Sequence, residues 1–492
     1  MQERTLPKPR GIGPDVNPSL LAHGRYGTDD MIRIWGPELT YQFSLDAQSA
    51  AVATLSDLYP EIVPPNHANE IKGAANLRVI DPKIIREIED KTGHDVIAIN
   101  TALEGAVSRE AASHVGKART SADTTETAKA LQLKRSIEVV ADSLENLRDI
   151  TLEKGMEWVD QLHMDQTHWY DALPTFAGRP LMFYGEMIQS NLIHLAFAYA
   201  HSLKGKWADA TGNHHSAVDL GVDGIKLQEE YCRRLGIGHM IAPAQIPGRE
   251  FITDVVYALA RSAETMQNLA FYIAWGMSDD TNIFKDTNPR KRKGSSAMPH
   301  KDIKGGNRTV EEQTESLANF MRGALVTSLS SVKFRYGRDL SGSASDRIML
   351  EDSFKFTDHV IRNLSGVVYH LGLNTDRLME RVMRTYGTVT AERVLTYITD
   401  HRRTQHPMAR KEAHDLLGSL ATKAYTERRQ FGDVLSEDPN VASRLPHDVI
   451  RDITNPLTYV GQSREVMEKA FNKYHGQKTF SEMIKLYKSI LQ

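Results

Sequence analysis

The chain has 492 residues, of which 40% are hydrophobic and 25% are charged, which is ordinary for a globular protein. Its formal net charge of -3 excludes a protein whose whole surface is basic and binds nucleic acid. A single cysteine, Cys232, excludes an internal disulfide and a cysteine-based metal site, and no apolar run reaches the roughly 18 residues of a membrane-spanning helix. We therefore expect a cytoplasmic protein with no membrane or nucleic-acid partner.

In chain order, the first 119 residues mix short helical patterns with loops rich in proline and glycine. Five long patterns follow, each with apolar residues three and four positions apart, as one face of a helix requires. They cover residues 130–162, 179–207, 251–279, 311–334 and 345–373. Beyond residue 374 the patterns shorten again. The sequence therefore predicts an all-α chain of three regions, residues 1–119, 120–373 and 374–492, with a bundle of long helices at its centre.

The five long patterns also predict an oligomer. They exceed the roughly 8–20 residues of a usual globular helix, so their apolar faces must pack on one another or on a second chain. We therefore expect an elongated bundle built from more than one copy of the chain.

The segment "DQTHWYDALPTFAGRP" places His168 in a turn rich in proline and glycine between two long helices. A histidine there is open to solvent or ligand, and its ordinary pKa near 6.5 suits acid–base work. The alternative is a structural histidine bonded to the backbone. The sequence alone leaves both interpretations open.

Two further segments combine hydroxyl groups with the start of a helix. "TSAD" opens a long helix with Thr120, Ser121 and Asp123, which predicts a helix cap, an anion site or both. "GRDLSGSASDR" sets two arginines around a serine-rich turn before another helix, which predicts a phosphate clamp. A capped surface helix is the alternative for the second segment.

A basic cluster and a pair of adjacent histidines could each be a binding site, but the sequence also allows other interpretations. "NPRKRKG", at residues 288–294, is a solvated basic face, a nucleic-acid patch or an attractor for an anionic substrate. "GNHH" contains His214 and His215, but adjacent histidines point apart on most backbones. We therefore predict no metal site there.

The stretch "GSSAMPHKDIKGGNRTVEE" is too rich in small and charged residues to be a packed core element. Its start, "GSSAMPHK", resembles the signature loop GSSxMPxKxNP of the fumarase/aspartase superfamily. The segments "THWYDALPTFAG", "TSAD" and "GRDLSGSASDR" are similar to the other parts of the active site in that superfamily. In the family pattern the asparagine lies two positions after the lysine. In this chain about four residues are inserted, so Asn307 lies six positions after Lys301; this alignment rests on Glu312.

Within the superfamily the chain resembles the adenylosuccinate lyases over residues 25–460. The resemblance rests on "RYGTDDMIRIW", "TGHDVIA", "AQIPGRE", the spacing of Arg338, Ser343 and Arg347, and "SRLPHDVIRDITNPLTYVG". It implies an all-α homotetramer with active sites shared between subunits, and elimination of fumarate from succinyl nucleotides without cofactor or metal.

The resemblance also implies roles for individual residues. Ser295 would be the catalytic base and His168 the acid, with Glu312 in support. The substrate-binding residues would be Arg25, Tyr26, His94, Asp95, Thr120, Ser121, Gln245, Lys301, Asn307, Arg338, Ser343 and Arg347. A sister lyase for argininosuccinate, aspartate, malate or a carboxymuconate, and a non-catalytic scaffold of the same fold, remain as alternatives.

Overall fold

The computed structural model describes residues 25–288, 295–333, 335 and 337–491. Long α-helices dominate these residues and the strands are few and short, which confirms the all-α prediction. The basic run at 289–293 and Gly294 of the signature loop lie outside the described residues.

From residue 25 onward, where the described part of the chain begins, six helices precede the central bundle. Prolines open three of them, where a missing N–H costs nothing. They are α1 Asp29–Ile34, α2 Pro37–Leu58, α3 Pro65–Ala74, α4 Pro82–Thr92, α5 Asp95–Glu104 and α6 Arg109–Ala112.

The central part contains all five predicted long helices, with two short ones between them. Its helices are α7 Ser121–Glu157, α8 Arg179–Ser202, α9 His215–Asp219, α10 Gly224–Leu235, α11 Glu250–Met277, α12 Thr309–Ser330 and α13 Ser343–Tyr369. Helix α7 begins nine residues before the apolar pattern at residue 130 does. The polar residues Asp123, Thr124 and Thr127 in its first turns are buried. The apolar pattern therefore could not reveal where the helix begins.

Three two-stranded sheets join the ends of these helices. The strands are β1 Leu162–Thr167, β2 Tyr170–Phe176, β3 Lys204–Gly205, β4 Gly238–His239, β5 Phe284–Asp286 and β6 Leu371–Leu373. Strands β1 and β2 form an antiparallel hairpin, β3 pairs with β4 in parallel, and β5 pairs with β6 antiparallel. The sequence did not predict the β1–β2 hairpin.

Eight helices follow the bundle. They are α14 Thr375–Met383, α15 Ala391–Thr399, α16 Arg410–Glu427, α17 Phe431–Glu437, α18 Pro439–Ala442, α19 His447–Ile453, α20 Ser463–Tyr474 and α21 Thr479–Leu491. Single 3-10 turns occur at Pro299–Lys304, Thr388–Thr390 and Pro456–Thr458. The last helix, α21, returns to pack on α8.

One hydrophobic core runs through the first helices and the bundle, from Met31 to Leu378, and takes in Phe480 from α21. A separate core lies between Val394 and Ile453. The division into three regions at residues 119 and 373 stays a prediction. None of the described helices combines the length and apolar character needed to cross a membrane.

Cys232 lies buried in α10, and burial raises the pKa of its thiol well above the ordinary value. A buried thiol of this kind is a packing residue rather than a nucleophile.

The bundle has two ends that matter for the site. Helix α7 has 37 residues, so at about 1.5 Å per residue it spans roughly 55 Å. We call the end where α7, α11 and α13 begin the cavity end; it comprises residues 120–126, 206–211, 245–249 and 337–347. We call the other end the hairpin end; it comprises residues 162–176, 271–286 and 295–312.

Candidate active site

A cavity of about 500 Å³ opens at the cavity end of the bundle. Arg338 donates a hydrogen bond from Nη1 to Oε1 of Gln245 at 2.8 Å, so two of the predicted binding residues meet in its wall. The lining residues are Ala210, Thr211, Gln245, Gly337, Arg338, Asp339 and Leu340. The cavity therefore presents a guanidinium and an amide to whatever enters it.

Helix α13 begins beside this cavity and carries two more predicted residues. Ser343 is its first residue and Arg347 is exposed one turn later, on the same face. Just before it, Asp339 accepts hydrogen bonds from the backbone N–H of Ser341 at 2.8 Å and from its hydroxyl at 2.5 Å. Arg338 thus precedes this helix start by five residues and Arg347 lies in its second turn, a combination that suits the binding of a phosphate.

The start of helix α7 brings the "TSAD" and "HDV" segments together. Ser121 Oγ lies 3.3 Å from Nε2 of His94, and Oδ1 of Asp95 lies 3.3 Å from Nδ1 of the same ring. Thr120 is the N-cap, and its backbone N–H donates to Asp123 Oδ2 at 2.8 Å in a capping box. The capping interpretation is confirmed, and the anion-binding interpretation stays a prediction.

A buried ion pair lies beneath this helix start. Lys206 and Asp123 are both fully buried and bonded to each other. Lys206 also donates to the carbonyl of Asp209 at 2.5 Å, and Asp123 accepts the N–H of Ala208 at 3.1 Å. The pair fixes the first turn of α7 against the loop that leads to the cavity. Sequence reasoning missed Lys206, because nothing in "LKGKWAD" distinguishes a buried lysine from an exposed one.

A second buried network joins the three helices that begin at the cavity end. Arg249 donates to both carboxylate oxygens of Glu126, at 2.8 and 3.2 Å, and its Nε lies 3.3 Å from Asp346. Burial opposes the charge on Glu126, but Lys129 and Arg249 outweigh it and lower its pKa to about 2. Burial raises the pKa of Asp346. Arg249 lies in the quoted segment "AQIPGRE", yet only Gln245 of that segment was singled out.

The two adjacent histidines, His214 and His215, have different surroundings. His215 Nδ1 lies 3.0 Å from Asp209 Oδ2, while His214 is the N-cap of the short helix α9. Burial would raise the pKa of Asp209, but N–H groups of Thr211 and His215 and the His215 ring lower it to about 2. Among the described residues no group of three or more histidine, cysteine, aspartate or glutamate side chains could hold a metal ion.

At the hairpin end, His168 lies at the tip of the β1–β2 hairpin, within the connection between α7 and α8. His168 and Trp169 are the two turn residues, and both have positive φ, 53° and 71°. This left-handed conformation costs a side-chain-bearing residue free energy and is usually taken by Asn-Gly pairs. The His168 ring is exposed and makes no hydrogen bond among the described residues. The backbone-bonded alternative therefore has no support in the described contacts.

The signature loop lies at the same end, next to the last residues of α11. Ser295 Oγ accepts hydrogen bonds from the backbone N–H groups of Met298 at 3.1 Å and Ala297 at 3.4 Å. Lys301 lies in the 3-10 turn Pro299–Lys304, and its carbonyl accepts the N–H of Gly306 at 2.9 Å. The hydroxyl of Ser295 thus already has two donors that would stabilise an alkoxide.

The inserted residues after Lys301 form a tight turn. Gly305 and Gly306 have φ of 84° and 82°, which residues with a side chain rarely adopt. Asn307 and Glu312 are both exposed. The buried carboxyl is that of the neighbouring Glu311, whose pKa burial raises.

Arg25 and Tyr26 are not brought to the rest of the predicted phosphate site within one chain. Arg25 is exposed, and Tyr26 packs edge-on against Phe356 and His359 of α13, with ring centroids 6.4 and 5.8 Å away. Phe356 is nine residues beyond Arg347, or about 14 Å along the helix. Their phosphate-binding role stays a prediction.

The predicted residues therefore form two groups. His168 and Ser295 lie at the hairpin end with Lys301, Asn307 and Glu312. The cavity end holds His94, Asp95, Thr120, Ser121, Gln245, Arg338, Ser343 and Arg347. Trp169, beside His168, meets Phe271, which lies 21 residues or about 32 Å along α11 from its start at the cavity end. Arg308 of the signature loop bonds to Met277, about 40 Å from that start, so the groups lie farther apart than a nucleotide spans.

Comparisons with known proteins agree with the fold and the motifs. Residues 24–302 match the family described as "Lyase", and residues 387–470 match the family described as "Adenylosuccinate lyase C-terminus". The chain is 26% identical to the adenylosuccinate lyase of Methanocaldococcus jannaschii over 92% of this chain and 96% of that one. The corresponding values for the adenylosuccinate lyase of Streptococcus mutans are 26%, 90% and 98%.

Solved structures share the fold at lower identity. The 3-carboxy-cis,cis-muconate lactonizing enzyme from Pseudomonas putida has a TM-score of 0.79 at 20% identity, covering 94% of this chain and 100% of that one. Fumarate lyase from Mesorhizobium sp. BNC1 has a TM-score of 0.77 at 19% identity, covering 92% and 99%. The sequence matches confirm the resemblance to the adenylosuccinate lyases that the motifs indicate. Since the first family match spans more than half of the residues, the chain belongs to the lyase family.

Proposed function

We propose that the chain is an adenylosuccinate lyase. It would release fumarate from adenylosuccinate, giving AMP, and from succinyl-aminoimidazole-carboxamide ribotide in purine biosynthesis. The observation that carries this proposal is the cavity end, where Arg338 and Gln245 line a cavity beside the helix start that bears Ser343 and Arg347. Two arginines and a helix start suit a nucleotide phosphate, which the substrates of the sister lyases lack.

The same proposal includes a homotetramer with shared active sites. One chain holds the two groups of predicted residues about 30–40 Å apart along α11, so the cavity end of one subunit must meet the hairpin end of another. The long helices also carry large apolar side chains on their surfaces, which a partner's bundle would cover. These are Phe183, Tyr257, Phe271, Val326, Leu329 and Ile348.

In the proposed reaction, a base removes a proton from the carbon beside a succinyl carboxylate. Ser295 is that base, and the N–H groups of Ala297 and Met298 stabilise its alkoxide. Negative charge gathers on the carboxylate, which Lys301, Thr120 and Ser121 hold. The C–N bond then breaks, and His168 donates a proton to the departing nitrogen. Fumarate and the nucleotide leave, and no redox step occurs.

The remaining residues bind and orient the nucleotide. Arg338, Ser343 and Arg347 take the phosphate with Arg25 and Tyr26, while His94, Asp95 and Gln245 complete the pocket. Asn307 binds the substrate as well, and Glu312 supports the loop that carries Ser295. The cytoplasmic location expected from the single cysteine remains part of the proposal.

The test is the change in ultraviolet absorbance when purified protein meets adenylosuccinate, with argininosuccinate, aspartate, malate and a carboxymuconate as competing substrates. We expect turnover of the succinyl nucleotide alone. His168→Gln, purified in parallel, controls for contaminating host enzyme. Turnover of a competing substrate would favour a sister lyase, and no turnover of any substrate would favour the scaffold alternative.

A further inference from the structure

The hairpin that carries His168 is held in a conformation it would not adopt alone. Its register pairs Thr167 with Tyr170 and Gln166 with Asp171, so His168 and Trp169 form a two-residue tip. Both tip residues have positive φ and both have large side chains. Such backbone strain persists only where surrounding contacts determine the conformation. The contacts that do so here should therefore control where the His168 ring points.

Asp171, three residues beyond His168, makes the strongest of these contacts. Its Oδ1 accepts a hydrogen bond from Arg381 Nη2 at 2.6 Å, and its Oδ2 accepts one from Arg384 Nη2 at 2.6 Å. Gln166, the cross-strand partner, donates to Oδ1 at 3.0 Å. Burial would raise the pKa of Asp171, but these three donors lower it, so the carboxylate is charged at neutral pH.

Helix α14 supplies Arg381, its C-cap residue is Arg384, and the helix is itself anchored. The Arg381 side chain is only 3% exposed, and its guanidinium lies 5.7 Å from the ring centroid of Trp275 on α11. The Trp169 ring at the tip meets Phe271, one turn before Trp275 on the same helix α11, with ring centroids 6.4 Å apart. The hairpin is thus attached to α11 directly through Trp169 and indirectly through Arg381, with Asp171 as its charged attachment point.

We propose that Asp171 is a positioning residue for His168. It ties the hairpin to α14 through Arg381 and Arg384 and so holds the imidazole in the orientation that proton donation needs. Asp171 does not touch the reacting atoms. The inference rests on the proposed function of His168, and its effect should be on the proton-donation step rather than on substrate affinity.

The first experiment is a double-mutant cycle on the full-length enzyme. Asp171→Ala should lower kcat for adenylosuccinate by about 10–100-fold with KM changed less than about threefold. The reason is that His168, the proton donor, loses its orientation while the binding residues stay in place. In the His168→Gln background the same change should alter the residual rate less than about twofold. Fully additive losses would overturn the proposal, since they would mean that Asp171 acts on the reaction by another route.

Two variants guard against a simple folding defect. Asp171→Asn keeps the shape and one acceptor, so it should recover part of the lost kcat. Glu380→Gln is the matched control, because it removes an exposed ion pair with Arg377, at 2.7 Å, on the same helix α14. It should leave kcat and KM unchanged. Equal damage from Glu380→Gln would show that any change in α14 suffices and would overturn the proposal.

Amide hydrogen exchange over residues 162–176 gives a readout that does not depend on activity. Asp171→Ala should speed exchange in this segment by about tenfold or more, while residues 130–150 of α7 exchange as in the wild type. Unchanged exchange in the hairpin would overturn the proposal even if activity falls. If the wild-type enzyme splits no succinyl nucleotide, the proposed function fails, whereas the exchange result still decides whether Asp171 holds the hairpin.

Discussion

Two inactive variants with changes at opposite ends of the bundle should restore activity when their subunits mix. His168→Gln damages the hairpin end, and Arg338→Gln damages the cavity end. Each alone should lose most activity, by about 10²–10⁴-fold for the acid. The tip that carries His168 meets Phe271, about 30 Å along α11 from the cavity end that holds Arg338, so an active site must draw on two chains.

The size of the recovery follows from this geometry. When the two subunit types mix at random in equal amounts, about one site in four receives an undamaged cavity end and an undamaged hairpin end. The mixture should therefore reach roughly a quarter of the wild-type rate, well above the residual rate of either variant. Each variant would carry a different affinity tag, so that two-step purification isolates mixed oligomers before the adenylosuccinate assay.

A matched control uses two changes at the same end. Ser121→Ala and Arg338→Gln both lie at the cavity end, which a single subunit supplies to each site. Every site in a mixture of these two variants therefore has a damaged cavity end. Recovery should be absent or small. If doubly tagged oligomers of His168→Gln and Arg338→Gln show no more activity than the separate variants, the shared-site reasoning is wrong.

Three further changes test individual residues. Ser295→Ala should abolish elimination yet still bind adenylosuccinate by calorimetry, because the phosphate and most carboxylate contacts lie on other segments; retained turnover would move the base elsewhere. Arg347→Lys should raise KM far more than it lowers kcat, because a lysine cannot make the bidentate contact of an arginine; an unchanged KM for both succinyl nucleotides would contradict this. Glu126 has a pKa of about 2 in the folded chain against an ordinary 4.5, so it stabilises the fold above pH 4.5 and loses this effect as the pH falls through 2. The stabilising free energy lost on protonation of Glu126 is about 3 kcal/mol. The melting temperature of Glu126→Gln should therefore fall less steeply between pH 5 and 2 than that of the wild type. Parallel curves of melting temperature against pH would refute the assignment.

The long helices could be predicted because their apolar residues repeat every three or four positions over many turns. Their starts could not, since the first turns of α7 are polar yet buried against Lys206 and neighbouring groups. The hairpin was missed because its tip is His-Trp, whereas the sequence signal for such a turn is Asn-Gly. Local residue preference was overridden there by contacts with distant helices.

The candidate site could be predicted as a set of residues but not as an arrangement. Loop and helix-start motifs are contiguous in sequence, so Ser295, His168 and Ser121 could each be recognised. Nothing local indicates that Arg249 joins three helices or that Asp171 meets α14, because both depend on partners more than 90 positions away. The distance between the motifs at the cavity end and those at the hairpin end also becomes apparent only from the lengths of the helices between them.

The buried thiol makes the chain convenient for spectroscopic labelling. Cys232 is the sole cysteine, fully buried and with its thiolate form disfavoured, so alkylating dyes and spin labels should leave the native protein unmodified. A cysteine introduced at the exposed Trp169 would then be the one reactive thiol per subunit. Distances between such labels in an assembled oligomer would report directly how the hairpins of neighbouring subunits are arranged, and the native cysteine need not be replaced first.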